Sequence, residues 1–136
     1  MASNKKLGND FETALCEALS QRGYWAHNLA QNQAGQPADV IAVKNGHAYL
    51  IDCKVCSSNG FPLSRVEENQ DLAMQLWKSC GNGEGWFALK LGDEVIMIPH
   101  VSIKIISEQK SRMNLKDIRK YGVSFERWVE MDGEWT

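Results

Sequence analysis

Nowhere in its 136 residues does the chain hold an uninterrupted apolar run approaching the roughly 18 residues of a membrane-spanning helix, so no transmembrane segment is expected. It also lacks the basic-then-apolar opening of a secretory signal, and the expectation is a cytoplasmic protein with no membrane partner. Cysteine is sparse: Cys16, Cys53, Cys56 and Cys80 invite a disulfide or zinc reading. On a strand, however, the three-residue offset of Cys53 and Cys56 sends the thiols to opposite faces, and no second Cys/His pair with ligand spacing appears; free buried thiols are expected. His27, His47 and His100 likewise have no ligand spacing, and turn or surface roles are expected. Gly81-Asn82-Gly83-Glu84-Gly85 lacks the Lys-Ser/Thr of a phosphate loop and reads as a turn. There is no internal repeat and no low-complexity tract. A formal net charge of −2 excludes a uniformly basic coat for nucleic acid, yet charge is segregated. Lys104, Lys110, Arg112, Lys116, Arg119 and Lys120 crowd a stretch with only Glu108 and Asp117 against them, whereas the tail from Glu126 is acidic. The basic stretch is either a phosphate contact or a solvated surface.

What the chain does have is an unusual pair of strands. Val40-Ile41-Ala42-Val43 and Ala48-Tyr49-Leu50-Ile51 flank Lys44-Asn45-Gly46-His47, and Asn-Gly is a strong hairpin signal. A two-residue turn at Asn45 and Gly46 pairs residue 43 with 48, 41 with 50 and 39 with 52. Asp39 therefore faces Asp52, and like charges so placed repel. Period-two alternation puts Lys54 on the same face as Asp52, with Tyr49, Ile51, Cys53 and Val55 on the other. Both faces are mostly apolar away from the charged end, as in a central strand covered on both sides. A divalent cation is the natural counter-charge, since magnesium takes hard oxygen ligands from one or two carboxylates and from phosphate. The competing reading is a pair of frayed strand ends in water with a surface salt bridge.

Around the hairpin, Asn9 with Glu12 fits a capping-box start for a helix whose apolar positions are Phe11, Ala14, Leu15, Ala18 and Leu19, stopped by Gly23. Glu12 lies about 100° from Phe11 around the axis, where it either caps the helix or reaches over the sheet's charged end. Tyr24 to Leu29 reads as a first strand antiparallel to the Asp39 strand, and Gln31, Asn32 and Gln33 in the following loop receive no role. Ser64 with Glu67 reads as a second capping box, opening a helix to about Ser79 whose apolar face (Val66, Ala73, Trp77) also carries Gln70. A buried amide needs a partner. Trp86 to Leu91 and Val95 to Ile98 form a last hairpin through Gly92-Asp93, and Asn114 starts a short helix ended by Gly122.

Pro37-Ala38-Asp39, twelve residues, then Asp52-Cys53-Lys54 resembles the P-D…(D/E)-x-K signature of the restriction-endonuclease-like nuclease superfamily. Asn4-Lys5-Lys6-Leu7-Gly8-Asn9-Asp10-Phe11-Glu12 is similar to the opening of archaeal Hjc-type Holliday junction resolvases. Gly60-Phe61-Pro62-Leu63 followed by Glu68-Asn69-Gln70 is similar to the RecU branch of bacterial and phage resolvases. The resemblance spans roughly Lys5 to Met74. It departs from those families in carrying Asp52 where resolvases usually have glutamate, in lacking the RecU stalk before Asp39, and in having no serine in the loop after the first strand.

The resemblance implies a restriction-endonuclease-like α/β core, one mixed β-sheet flanked by helices in αβββαβ order, with the core at about residues 8–99 and a basic helical C-terminal extension at about 100–136. It implies a Mg²⁺-dependent endonuclease, with Mn²⁺ able to substitute, cutting four-way DNA junctions in recombination or phage replication and working as a homodimer. Asp39, Asp52, Glu12 and the main-chain carbonyl of Cys53 would hold the metal; Lys54 would stabilise the developing phosphorane charge or position the water, and Gln70 would orient Lys54 or the attacking water. Lys5, Lys6, Arg65, Lys110, Arg112 and Lys116 would contact DNA. A restriction-type or other structure-specific nuclease on the same core, or a non-catalytic DNA-binding module, remains the alternative.

Overall fold

A computed structural model describes residues 4–29 and 38–131; the loop glutamines and asparagine at 31–33 and the last five residues lie outside them. The first helix, α1 (Asn4–Gln21), starts earlier than the Asn9 capping box suggested. Leu7 adds one more turn to the stripe of Phe11, Leu15 and Leu19, so Asn9 lies within the helix rather than at its cap. Gly23, with φ +88°, turns the chain out of the helix into β1 (Trp25–Asn28).

β2 (Val40–Lys44) and β3 (His47–Cys56) form the expected hairpin, with Val43 opposite Ala48 and Ile41 opposite Leu50. Asn45 and Gly46 both have positive φ, +52° and +79°, as a type I′ turn requires. β1 runs antiparallel to β2 as expected. β3 then pairs in parallel with β5 (Trp86–Leu91), which turns back into β6 (Glu94–Pro99), and β8 (Val123–Ser124) closes the edge. The resulting six-stranded mixed sheet has the order β1-β2-β3-β5-β6-β8. A separate two-stranded ribbon, unanticipated from the sequence, joins β4 (Phe61–Pro62) to β7 (Arg112–Met113).

The second helix differs from its expected start. Leu63–Arg65 form a 3₁₀ turn, and α2 (Glu68–Ser79) begins after Glu67, not at Ser64. The amide oxygen of Gln70 accepts from the Glu67 backbone N–H at 3.1 Å, so the reciprocal cap is the Glu67/Gln70 pair. The basic extension comprises α3 (His100–Ser107), α4 (Leu115–Tyr121, capped by Asn114 and ended at Gly122 as expected) and α5 (Phe125–Glu130).

Alternation along β3 sends Tyr49 and Ile51 into a core layer with α1 and α5, where Trp128 is fully buried against Tyr24 and Tyr49. Leu50 points into the other layer, beneath α2, α3, α4 and the ribbon, with Phe61, Met74 and Phe87. Cys53 and Cys56 accordingly pack in opposite layers, and all four cysteines are free. Two expectations need correction: Cys80, at the C-terminus of α2, is exposed, and His100 is buried against Asp71 instead of lying at the surface. Among the described residues, no helix is long and apolar enough to cross a membrane.

Candidate active site

The β2–β3 ladder ends with Val40 opposite Ile51, and Asp39 follows one residue outside it, its N–H donating to the Ile51 carbonyl at 3.0 Å. Its carboxylate is fixed by the chain opposite, Oδ2 accepting from the Cys53 backbone N–H at 2.7 Å. Asp52 sits at the centre of the sheet with 0% exposure. Its Oδ1 accepts from Gln70 Nε2 at 3.0 Å, and its Oδ2 lies 3.2 Å from Lys54 Nζ without a well-formed hydrogen bond. Lys54 in turn donates to Gln70 Oε1 at 3.3 Å. Gln70 therefore answers the question its position raised: one amide holds both the buried acid and the amine, and caps its own helix.

Glu12, 9% exposed, projects from α1 to the same end of the sheet. Burial, then the charge of Asp39 and a hydrogen bond with it, push its carboxyl up to about 7 against the pull of Lys54. Asp52 is pushed up to about 8, first by burial and then by Asp39, with Lys54 only partly compensating. Three acids thus converge where one amine is too little. The two strand carboxylates supply hard oxygen donors, and the buried Asp52 Oδ2 has no hydrogen bond to satisfy it, so these residues fit a divalent cation. Among the described residues, no three His, Cys, Asp or Glu side chains form a ready-made cage. An ion that keeps several water or phosphate ligands needs none.

The basic residues separate into groups. Arg65, ending the 3₁₀ turn, and Arg112, on β7, share a cleft with Lys54. Lys110 is paired with Asp117 at 3.0 Å and Lys6 with Asp10 at 2.9 Å, while Lys5 and Lys116 are exposed on α1 and α4. Ser57 and Asn59, which also line the cleft, carried no signal in the sequence, because their place depends on a ribbon built with residues far along the chain.

Residues 3–134, almost the whole chain, match the model of the archaeal Holliday junction resolvase (Hjc) family. The chain belongs to that family. Among solved structures it is similar to Hjc of Archaeoglobus fulgidus, a Holliday junction resolvase from an archaeal hyperthermophile. The TM-score is 0.69 at 19% identity, over 90% of this chain and 99% of that one, a likeness of fold. No curated protein sequence matches the chain. As an Hjc-family resolvase the chain is a nuclease that resolves four-way DNA junctions, which sets aside the restriction-type and non-catalytic alternatives.

Proposed function

We propose that Asp39, Asp52, Glu12 and the main-chain carbonyl of Cys53 hold the ion of this resolvase, Mg²⁺ by preference with Mn²⁺ able to substitute. The observation that carries the reading is the fully buried Asp52, held by Gln70 through one oxygen and left with the other beside Lys54 and Asp39. When bound, such an ion supplies a nucleophile at neutral pH and neutralises charge on the scissile phosphate. Lys54 is placed to balance the extra charge that the phosphate gathers on in-line attack. Gln70 keeps that ammonium from collapsing fully onto Asp52 by giving it a second acceptor. Asp39, tied to the Cys53 N–H, keeps its orientation without help from solvent. The products would carry 5′-phosphates.

A four-way junction is resolved by two incisions, so a symmetric dimer is the natural working unit. In support, α2 and α3, which Asp71 ties together, each expose an apolar pair one turn apart: Leu72 with Leu76, and Val101 with Ile105. Lys5, Lys6, Lys110 and Lys116 would add phosphate contacts outside the catalytic end.

The test is a labelled four-way junction incubated with the parent and with Asp39→Asn, with and without Mg²⁺. Symmetrical nicks are expected from the parent only in the presence of the ion, and binding without nicks from the variant. Equal cutting by both would remove Asp39 from the mechanism.

A further inference from the structure

Beside Lys54 opens a cleft of about 540 Å³ whose lining includes three cationic side chains, Lys54, Arg65 and Arg112, and, among the described residues, no acid. Elsewhere the described basic residues are often neutralised: Lys6, Arg22, Lys78, Lys104, Lys110 and Arg119 all pair with carboxylates. Arg65 and Arg112 form no ion pair among the described residues, in a chain whose net charge is negative. Each is instead anchored by the backbone. Arg65 Nη1 donates to the Val55 carbonyl at 2.8 Å and its guanidinium lies 5.7 Å from the Phe61 ring centre; Arg112 Nη1 donates to the Asn59 carbonyl at 3.0 Å. One N–H of each fork is thus used for orientation, and the rest of the fork remains for an anion.

The ribbon makes this arrangement. Pro62 pairs with Arg112 and Phe61 with Met113, while Leu63 N–H reaches the Ser111 carbonyl at 2.9 Å. The closeness depends on Gly60: a Cβ there would lie 2.1 Å from the Met113 carbonyl oxygen, and its φ of +89° already favours glycine. Without that approach Arg112 would not meet Arg65 across the cleft.

We propose that this cleft is a second phosphate site, taking a phosphodiester that neighbours the scissile one on the cleaved strand, with Arg65 and Arg112 as positioning residues. The proposal rests on the reading of Asp39, Asp52 and Lys54 as the catalytic end, because Lys54 is the wall the two sites share. Planar guanidinium forks suit the paired oxygens of a phosphodiester. Holding the neighbouring phosphate fixes the strand's register, so the group presented to Lys54 is the one to be cut.

The test uses Arg65→Gln, Arg112→Gln and the double variant, since glutamine retains an N–H donor for the Val55 or Asn59 carbonyl while removing the charge. Each is placed in the Asp39→Asn background so that binding is read without cutting. Four-way junctions carry a single neutral methylphosphonate, moved one position at a time along the cleaved strand. The double variant is expected to bind about tenfold more weakly or worse, with a log-log salt slope shallower by about two. A methylphosphonate within two positions of the cut should weaken the Arg-containing protein about tenfold and leave the double variant unchanged. Arg65→Lys and Arg112→Lys should recover the salt slope, which a purely structural role for the arginines would not predict. An unchanged slope, the same methylphosphonate penalty in both proteins, or sensitivity only far from the cut would overturn the proposal. Were Asp39→Asn to cut like the parent while the sensitive phosphate stayed beside the cut, the cleft would stand and the catalytic assignment alone would fall.

Discussion

Two polar clusters meet at α2, one buried and one only partly so, and they have been treated in opposite ways. At the proposed catalytic end, Glu12, Asp39 and Asp52 converge on one lysine; two of the carboxyls are pushed up, to about 7 and about 8, and an oxygen of Asp52 is left unsatisfied. At the other, Asp71 accepts from the buried His100 at 2.6 Å and from Lys104 at 3.2 Å. Burial alone would raise the Asp71 carboxyl, but those two partners outweigh it and hold the group below its ordinary value. The second cluster joins α2 to α3 and is complete. The first has a buried oxygen that the described residues leave unsatisfied, and on our proposal that asymmetry separates a working site from a strut.

The largest way to test the contrast is Asp52→Asn. It should lower cleavage by about 10³-fold while raising the melting temperature of the metal-free protein at pH 8 by about 3 °C, because it removes a repelled buried charge. Junction cleavage and calorimetric melting check the two halves; a variant that lost both activity and stability would erase the distinction. His100→Ala should do the reverse, costing about 2 kcal/mol in denaturant unfolding yet leaving the cleavage rate of the folded protein within about twofold. Gln70→Ala falls between them, since its amide serves both the site and the α2 cap: about a tenfold loss in single-turnover cleavage is expected, with a stability loss of about 1 kcal/mol.

The contrast also extends to pH. Asp52 ordinarily titrates near 3.8 and is raised to about 8 in the fold, so between those values the folded chain binds a proton that the unfolded chain has released. Metal-free stability should therefore decline as pH rises from about 5 to 8, and Asp52→Asn should flatten that slope. Asp71 runs the other way: its lowered value adds stability above the ordinary carboxylate range, and that contribution is lost as pH falls below it. Thermal melting over the full pH range, with His100→Ala as the partner variant, should resolve the two limbs.

How much could be read before folding depended on the distance between the residues concerned. The register that ends with Val40 opposite Ile51 and brings Asp39 up beside Asp52 followed from a two-residue turn and a period of two, both local, and Lys54 followed from the same alternation. The exact span of β5 and the Asn114-capped α4 were equally visible, since each is bounded by its own turn or cap. The start of α1 was misread because Asn9 and Glu12 make a plausible cap, yet the helix runs on past them to Asn4, with Leu7, itself exposed, extending the apolar spacing by one turn. For α2, the glutamine that ends the true cap was weighed as a core amide or a residue of the site and not as a cap, and Ser64 attracted the reading instead. His100 looked like an isolated ring because Asp71 is 29 residues away.

By itself, then, the order of amino acids settled the sheet's central hairpin and which three charged groups share its end, because turn geometry and strand pleat act over a few residues. Only the tertiary structure decided that Asp52 would be stripped of water, that Gln70, 18 residues on, would satisfy just one of its oxygens, and that Arg112 would come back to Asn59 from 53 residues away. Desolvation and counter-charge are properties of what packs around a group, and no local pattern carries them.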